Sequence, residues 1–347
     1  MNATTFAVDI AKSVMQLHWV ESSGEIKRKR LTRAKFNEFF AQRLPARVVM
    51  EACGGAHHWG RTLAACGHHV ELLPTHQVRA FVRGNKDDVA DARAIWLAAQ
   101  HSDIRRVPVK SCAQQAVLAL HRTRTHWISV RTATVNALRG LLYEFGVALP
   151  AGKDSGLKAL GENRASVNAQ LPAVMVALVD EQLRALQEIE HNVKFFDTQI
   201  AEVQKSQDTA KALREIPGIG VLGATALAAL LGDGRAWRNG REFSACIGLC
   251  PRHNGTGGKV RIGSLSKRGD PYARTLLING ARSVVTGPRP PAWAAQLLLR
   301  RPINVVVVAL ANKIARTAWA LVAHGRQYDG QWQSTPPASS ALTQPTT

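Results

Sequence analysis

The spacing of apolar residues in the first hundred positions alternates between the period of a strand and that of a helix. Thr4-Thr5-Phe6-Ala7-Val8-Asp9-Ile10 is a short β-rich run that ends on an acid. Residues 16–20 and 25–31 are two more strand-like runs, joined through a Ser22-Ser23-Gly24 turn, and the three segments predict an antiparallel meander. Thr32 can cap a helix that follows, in which Phe36, Phe39, Phe40 and Leu44 recur at helical spacing. Residues 47–51 predict a fourth strand, again closing on an acid. Gly54-Gly55 breaks the chain, residues 58–66 suit a helix, and residues 69–73 form a fifth strand stopped by Pro74. From Asp87 to Gln100 the pattern is helical, with Val89, Ala92, Ile95, Trp96 and Ala99 on one face.

The resulting order, β-β-β-α-β-α-β-α, is that of the ribonuclease H-like fold, a mixed sheet flanked by helices. Residues 112–211 carry almost no strand signal. Leu186, Ile189, Val193, Phe196, Ile200 and Val203 keep a 3-4 alternation that predicts a short coiled-coil seam or a long helical hairpin. Residues 150–168 are rich in Gly and polar residues and predict a loop between helices. Residues 216–323 predict a mostly helical unit. The tail from Gln331, rich in Ser, Thr, Pro and Gln, has a disordered composition.

Composition narrows this further. A chain of 347 residues holds roughly two to three domains. With 46% hydrophobic and 20% charged residues it is not a disordered chain, a collagen or a coiled-coil rod. Forty-five Lys and Arg against 25 Asp and Glu leave a formal charge of +20. Arg outnumbers Lys, and Arg is the better phosphate clamp. A field this positive predicts a polyanionic partner, nucleic acid before an anionic membrane surface. Residues 1–5 contain no charged leader, and the apolar stretch 305–323 is interrupted by Asn312, Lys313 and Arg316, which predicts a buried helix with a polar stripe rather than a membrane span. Five cysteines are few and odd in number, as in a reduced, cytoplasmic protein.

Against this positive background four acids stand out. Asp9 and Glu51 close strands predicted to lie side by side, and Asp88 and Asp91 sit at i and i+3 on one helix, sharing a face. Singly each has an ordinary explanation: a turn cap, an arginine partner, a first-turn acid favoured by the helix dipole, a solvated helix residue. Jointly they form a set of hard oxygen ligands suited to Mg²⁺. Two such ions roughly 3.5–4 Å apart serve phosphoryl transfer by activating one oxygen and stabilising the other. A basic protein gathers acids beside DNA at an electrostatic cost unless a cation bridges them.

The C-terminal part adds two motifs. Ile216-Pro217-Gly218-Ile219-Gly220 followed by an Ala/Leu-rich helix is the helix-hairpin-helix pattern, in which Gly218 and Gly220 let backbone amides approach a phosphate; a plain helix–turn–helix corner has the same spelling. The stretch 248–270 is dense in Gly, hydroxyls and bases. Arg252, Lys259, Arg261, Lys267 and Arg268 suit backbone phosphates, and Thr256, Ser264 and Ser266 are hydroxyls able to attack phosphorus once activated. The glycines suit an anion nest, although the Walker A order is absent, and by itself the stretch predicts a basic loop that positions DNA. Cys53, His57, Cys66 and His69, or Cys246, Cys250 and His253, lack the paired spacing of a zinc site. The scattered tryptophans suit the core or an interface better than base stacking.

Taken jointly, Val8-Asp9-Ile10-Ala11-Lys12, Met50-Glu51-Ala52, Asn85-Lys86-Asp87-Asp88-Val89-Ala90-Asp91-Ala92, Ile216-Pro217-Gly218-Ile219-Gly220, Gly248-Leu249-Cys250-Pro251 and Ser266-Lys267-Arg268-Gly269 resemble the DEDD transposases of bacterial insertion sequences. The likeness is to the IS-one-ten family, eleven-eleven subgroup, the bridge-RNA-guided recombinases related to Piv DNA invertases, and it runs from about residue 4 to about residue 323. It implies a RuvC-like α/β domain over 1–108, a helical linker with a coiled coil over 109–211, a mostly α transposase domain over 212–326 and a disordered tail over 327–347. It implies Mg²⁺ at Asp9, Glu51, Asp88 and Asp91, donor and target DNA, a noncoding guide RNA from the element, and dimers or tetramers. The family's nucleophile is a serine five residues after the proline of its G-L-x-P motif, giving a covalent protein–DNA intermediate and exchange through a Holliday junction. Here that position is Thr256, which keeps the hydroxyl and adds a crowding methyl. Three readings follow: Thr256 attacks, Ser264 or Ser266 has taken the role, or this copy is impaired in cleavage. Outside the resemblance, a RuvC-like nuclease or junction resolvase using water is the alternative enzyme, and a catalytically dead nucleic-acid-binding protein the non-enzyme.

Overall fold

A computed structural model of the chain describes residues 4–83, 87–257 and 259–331. Asn85 and Lys86 of the acidic motif, Gly258, Trp332 and most of the predicted tail lie outside the described residues. The chain folds as two compact units, Met1–Arg122 and Thr123–Thr347.

The first unit is built on a mixed sheet. Strands β1 (Thr5–Ile10), β2 (Val14–Val20), β3 (Ile26–Thr32), β4 (Arg47–Glu51) and β5 (His69–Leu73) stand in the order β3-β2-β1-β4-β5. The first three form the expected meander; β1 and β4, and β4 and β5, are parallel, through crossovers carrying α1 (Arg33–Ala41) and α2 (Ala56–Ala65). Alternation along the strands divides the sheet into two faces. Phe6, Val8, Met15, Leu17, Leu31, Val48 and Met50 point to one, where they bury against Phe36, Phe40, Trp59 and Leu63 of α1 and α2. Ala7, Val49 and Leu73 point to the other, beneath Ala94, Ile95 and Ala98 of the later helix α4 (Asp88–Ala99). Between β5 and α4 the chain makes one turn of helix, α3 (Thr75–Val78), and a 3₁₀ turn at Arg79–Phe81.

Two details of this unit depart from expectation. Helix α1 stops at Ala41, and Leu44 is 87% exposed beyond it rather than on the buried face. Thr32 holds the N-cap position but makes no side-chain capping bond.

The sheet is tied to the C-terminal end of α4 by a partly buried ion cluster. Arg47 on β4 grips Glu71 on β5 through two bonds of 2.9 Å, Arg106 joins the same carboxylate at 2.5 Å, and both guanidiniums donate to the Ala99 carbonyl, at 2.9 and 3.1 Å. Burial alone would raise the Glu71 carboxyl; the two guanidiniums outweigh it and hold it at about 2.

The second unit is helical except for one ribbon. Its long helices are α5 (Cys112–Tyr143), which begins in the first unit, and α8 (Ala173–Ser206). Arg124 pairs with Asp197 and Arg131 with Glu190. Partners that advance seven residues on one helix while receding seven on the other define an antiparallel hairpin, of which Val135, Leu138, Leu142, Val179, Leu186 and Ile189 are the buried seam. The stretch 150–168 is not a loop: α6 (Lys153–Glu162) and α7 (Arg164–Gln170) occupy most of it, anchored by Leu160 and Val167.

The remaining core gathers α9 (Asp208–Arg214), α10 (Val221–Leu231), α11 (Gly240–Cys246), α12 (Pro271–Val285), α13 (Ala292–Leu298) and α14 (Ile303–His324). Helix α14 is long and apolar enough to cross a membrane by length and composition; Val306, Leu310, Ala311, Ile314 and Ala318 on it are core residues, and Asn312 donates to the Leu249 carbonyl at 3.3 Å. Trp237 and Trp319 are buried in this core, and Trp59 in that of the first unit.

The basic stretch after residue 248 is a β-hairpin rather than a loop. Strands β6 (Pro251–Thr256) and β7 (Lys259–Leu265) pair antiparallel, with Thr256 opposite Lys259. Every residue of β6 is exposed, so no hydrophobic alternation marks the strand in the sequence.

Candidate active site

Three elements bring the four predicted acids together. Asp9 and Ala7 share a face of β1, so Asp9 points toward α4. The parallel register sets Val8 beside Met50, which puts Glu51 next to Asp9 one residue on. Asp88 and Asp91 occupy the first turn of α4, whose N-cap Asp87 accepts the Val89 amide at 3.3 Å. The helix therefore starts over the C-terminal ends of the two strands and aims its first-turn carboxylates at theirs.

The electrostatic consequence is concentrated on Asp9. Burial raises its carboxyl, and Asp91, Asp88 and Glu51 raise it further, to about 6 from an ordinary 3.8. Cys53 feels the same charges: burial, then Glu51 and Asp9, push its thiol up. The carboxylates meet at the range of charge repulsion rather than of shared ligation, and among the described residues no three His, Cys, Asp or Glu side chains are arranged to grip an ion as they stand. The donors nonetheless fit a hard divalent cation. All four are carboxylates, and the raised Asp9 marks unneutralised negative charge in a half-buried place.

His57, weighed in the sequence only as a zinc ligand without the right spacing, lies on α2. It accepts the Lys110 amide at 3.2 Å, and burial with Lys110, Arg61 and Arg122 lowers it to about 4, so it is a neutral structural acceptor. Only its acceptor bond to a residue far along the chain reveals it.

The second group of candidates lies in the second unit. Gly218 turns between α9 and α10 at φ 90°, and a Cβ there would meet the Gly280 carbonyl oxygen of α12 at 3.0 Å. A Cβ on Gly280 would in turn overlap the Gly218 carbonyl oxygen, so both glycines are demanded by one helix–turn contact. Gly220 is the exposed N-cap of α10, with open space where a side chain would stand.

On the hairpin, Asn254 and Thr256 pair with Arg261 and Lys259, so these four side chains share one face and the Thr256 hydroxyl stands among two cations. Arg252, Lys259, Arg261, Lys267 and Arg268 are all exposed, without an ion-pair partner among the described residues. Ser264 is exposed within β7; Ser266 follows it, half-buried, its amide bonded to the Cys250 carbonyl at 3.0 Å. The hairpin is fastened at its base. Gly248 and Gly269 pass so close to the backbones of Arg268 and Cys246 that neither tolerates a Cβ, and Arg274 donates to the carbonyls of Ile247 and Arg268 at 3.0 and 2.9 Å. Each unit thus carries its own half of the candidates: acids in the first, hydroxyls and bases in the second.

Both units resemble known proteins. Residues 210–296 match the family model described as "Transposase IS116/IS110/IS902 family", and residues 6–146 match the DEDD model of IS110 transposases, described as "Transposase". A "Probable family 20 transposase" of Pseudomonas aeruginosa is 44% identical over 94% of this chain and 99% of its own length. The "Transposase for insertion sequence element IS1328" of Yersinia enterocolitica is 35% identical over 93% and 98% respectively, and that for IS1111A of Coxiella burnetii 35% identical over 92% and 90%. A mixed-sheet unit with a helical C-terminal region, matched in this way, is a transposase, an enzyme that cuts and rejoins DNA. The chain belongs to the IS110/IS116/IS902 family of insertion-sequence transposases.

Proposed function

We propose that this transposase is a guide-RNA-directed recombinase that joins donor to target DNA through a covalent protein–DNA intermediate. In this reading the first unit is RuvC-like and Asp9, Glu51, Asp88 and Asp91 hold Mg²⁺. The cation, when bound, supplies Lewis-acid polarisation and charge neutralisation at the scissile phosphate. The raised Asp9 carboxyl, half-buried and pressed by three neighbouring carboxylates, carries the reading, because a cluster of like charge in a DNA enzyme is relieved by a cation.

Thr256 is the proposed nucleophile. Its Oγ1 forms the bond to phosphorus as the bond from phosphorus to a sugar oxygen breaks, and the hydroxyl proton passes to the leaving sugar oxygen. Lys259 and Arg261, on the same face of the hairpin, hold the non-bridging oxygens. Arg252, Lys267 and Arg268 hold flanking phosphates, and the turn at Gly218 and Gly220 is a helix-hairpin-helix whose open amides at the start of α10 take another. The α5–α8 hairpin is the coiled-coil linker through which protomers of a dimer or tetramer associate.

Covalent trapping tests the reading. The protein is incubated with Mg²⁺, the element's flanking noncoding RNA and a labelled junction DNA, then run on a denaturing gel. A shifted band lost in Thr256→Ala is expected. A band that persists in the variant transfers the role to Ser264 or Ser266, and cleaved DNA without a shifted band replaces the covalent mechanism by water attack at the acids.

A further inference from the structure

Beside the acidic cluster the sheet carries a second charged feature of opposite sign. Strand β3 is an edge strand with the sequence Ile26-Lys27-Arg28-Lys29-Arg30-Leu31-Thr32. Its register separates these bases by face. Lys27 and Lys29 lie opposite Trp19 and Leu17, on the face covered by α1, where Lys29 sits over the Phe39 ring at 5.1 Å and Lys27 pairs with Glu25. Arg28 and Arg30 lie opposite His18 and Gln16, on the other face. That is the face of Asp9, since Asp9 pairs with Gln16 and Ala7 with His18. A single row therefore crosses the sheet: Glu51, Asp9, the buried Gln16, then Arg30.

Helix α4 adds a third arginine. It packs on β1, β2 and β4, with Trp96 against the buried His18 ring, and Arg28 and Arg30 stay exposed on the margin it leaves open. Arg93 on α4 and Arg28 on β3 both act on His18, which burial first and then these two cations lower, so both arginines stand near this one ring. Among the described residues none of Arg28, Arg30 and Arg93 has an ion-pair partner. Arg28 and Arg30, two residues apart on one face of β3, leave unpaired cations there, and phosphate is the ligand that their planar donors match.

We propose that Arg28, Arg30 and Arg93 form a phosphate track on the open margin of the sheet that carries the DNA strand to be cut into the acidic site. Adjacent strands are about 4.8 Å apart, so β3 stands about 10 Å from β1. That spans about three phosphates of a stacked strand with one charge per 3.4 Å or so. Gln16 between Arg30 and Asp9 is uncharged and buried, so no competing charge stands in the row between the cation and the carboxylates. The placement beside the acids rests on the proposed role of those acids; the track itself does not.

The strand supplies its own control. Arg28→Gln/Arg30→Gln and Lys27→Gln/Lys29→Gln remove the same charge from the same strand on opposite faces. Binding of the full chain to a labelled single-stranded DNA oligonucleotide is measured across a salt series. Each lost phosphate contact lowers the slope of log affinity against log salt by about 0.7. The arginine pair is expected to lower it by about 1.4, Arg93→Gln by about a further 0.7, and the lysine pair far less. Equal loss for both pairs, or none for the arginines, overturns the track, as does loss with an RNA oligonucleotide and none with DNA. Cleavage of element-end DNA separates this from the acidic site. The arginine variant is expected to raise the DNA concentration needed for half-maximal rate and to recover its full rate at saturation, whereas Asp88→Ala stays inactive at any concentration. Cleavage that survives Asp88→Ala rejects the acidic-site reading and leaves the salt result standing.

Discussion

A carboxyl group ionises readily in water and reluctantly when half-buried beside other carboxylates, and Asp9 meets both obstacles. Its folded value, about 6, lies above the ordinary 3.8, so folded and unfolded chains agree in protonation in acid and differ between these two values, where stability is lost. The favourable balance is intact below about 3.8 and lost as pH climbs through about 6. Asp9→Asn should therefore raise the thermal midpoint of the metal-free protein by a few degrees above about pH 7 and leave it unchanged near pH 4. Adding Mg²⁺ should raise the wild-type midpoint and move the variant's less; scanning calorimetry with and without chelator reads both. Glu71 has the opposite sign: held at about 2, it contributes stability that is present above about 4.5 and fades as pH falls toward 2. Of these residues, the four acids were legible because each sits at a recognisable place, a strand end or a first helical turn. Arg28, Arg30 and Arg93 were not, since a basic run looks like any solvated edge until register shows which bases share the face of Asp9.

At the scale of elements, the sheet was the easiest part to read, because one buried face per strand leaves an alternation in the sequence. The hairpin β6–β7 left none, being exposed along all of β6; the Gly257-Gly258 pair between two Thr/Val-bearing segments was its one local sign. Helices α6 and α7 were hidden for a related reason: short and polar, they bury only Gly156, Leu160 and Val167. The turn at Gly218 shows a different limit. Its glycines read as room for a phosphate, while in the fold Gly218 and Gly280 let a turn and a helix touch through their backbones. Two matched substitutions expose that contact. Gly140 on α5 is exposed with open space at its Cβ position, so Gly140→Ala should stabilise by up to about 1 kcal/mol through helix propensity. Gly280→Ala, also helical, should instead destabilise by about 2 kcal/mol, since the new methyl displaces the Gly218 carbonyl. Urea titration of the two variants should give midpoints displaced in opposite directions.

Over the whole molecule the charge of +20 is unevenly placed: exposed bases stand along β3 and the β6–β7 hairpin, with Arg93 on α4 beside two aspartates. A protein that meets DNA through six to ten phosphates loses about 10³- to 10⁵-fold in affinity between about 50 and 200 mM salt. A loss in that range is expected here, and a salt-insensitive affinity would count against the basic surfaces as the main contact. The ion cluster around Glu71 acts at a distance in a different way. Arg47 and Arg106 seize α4 at Ala99, its last residue, while Asp88 and Asp91 ride at its first turn. With 12 residues at 1.5 Å each the helix spans about 18 Å between the two ends. Ala94, Ile95 and Ala98 press it to the sheet along that length. A tilt of only about 3° about its anchored end would carry the acids about 1 Å, so Arg47 and Arg106 bear on where Asp88 and Asp91 stand although neither approaches them in the chain.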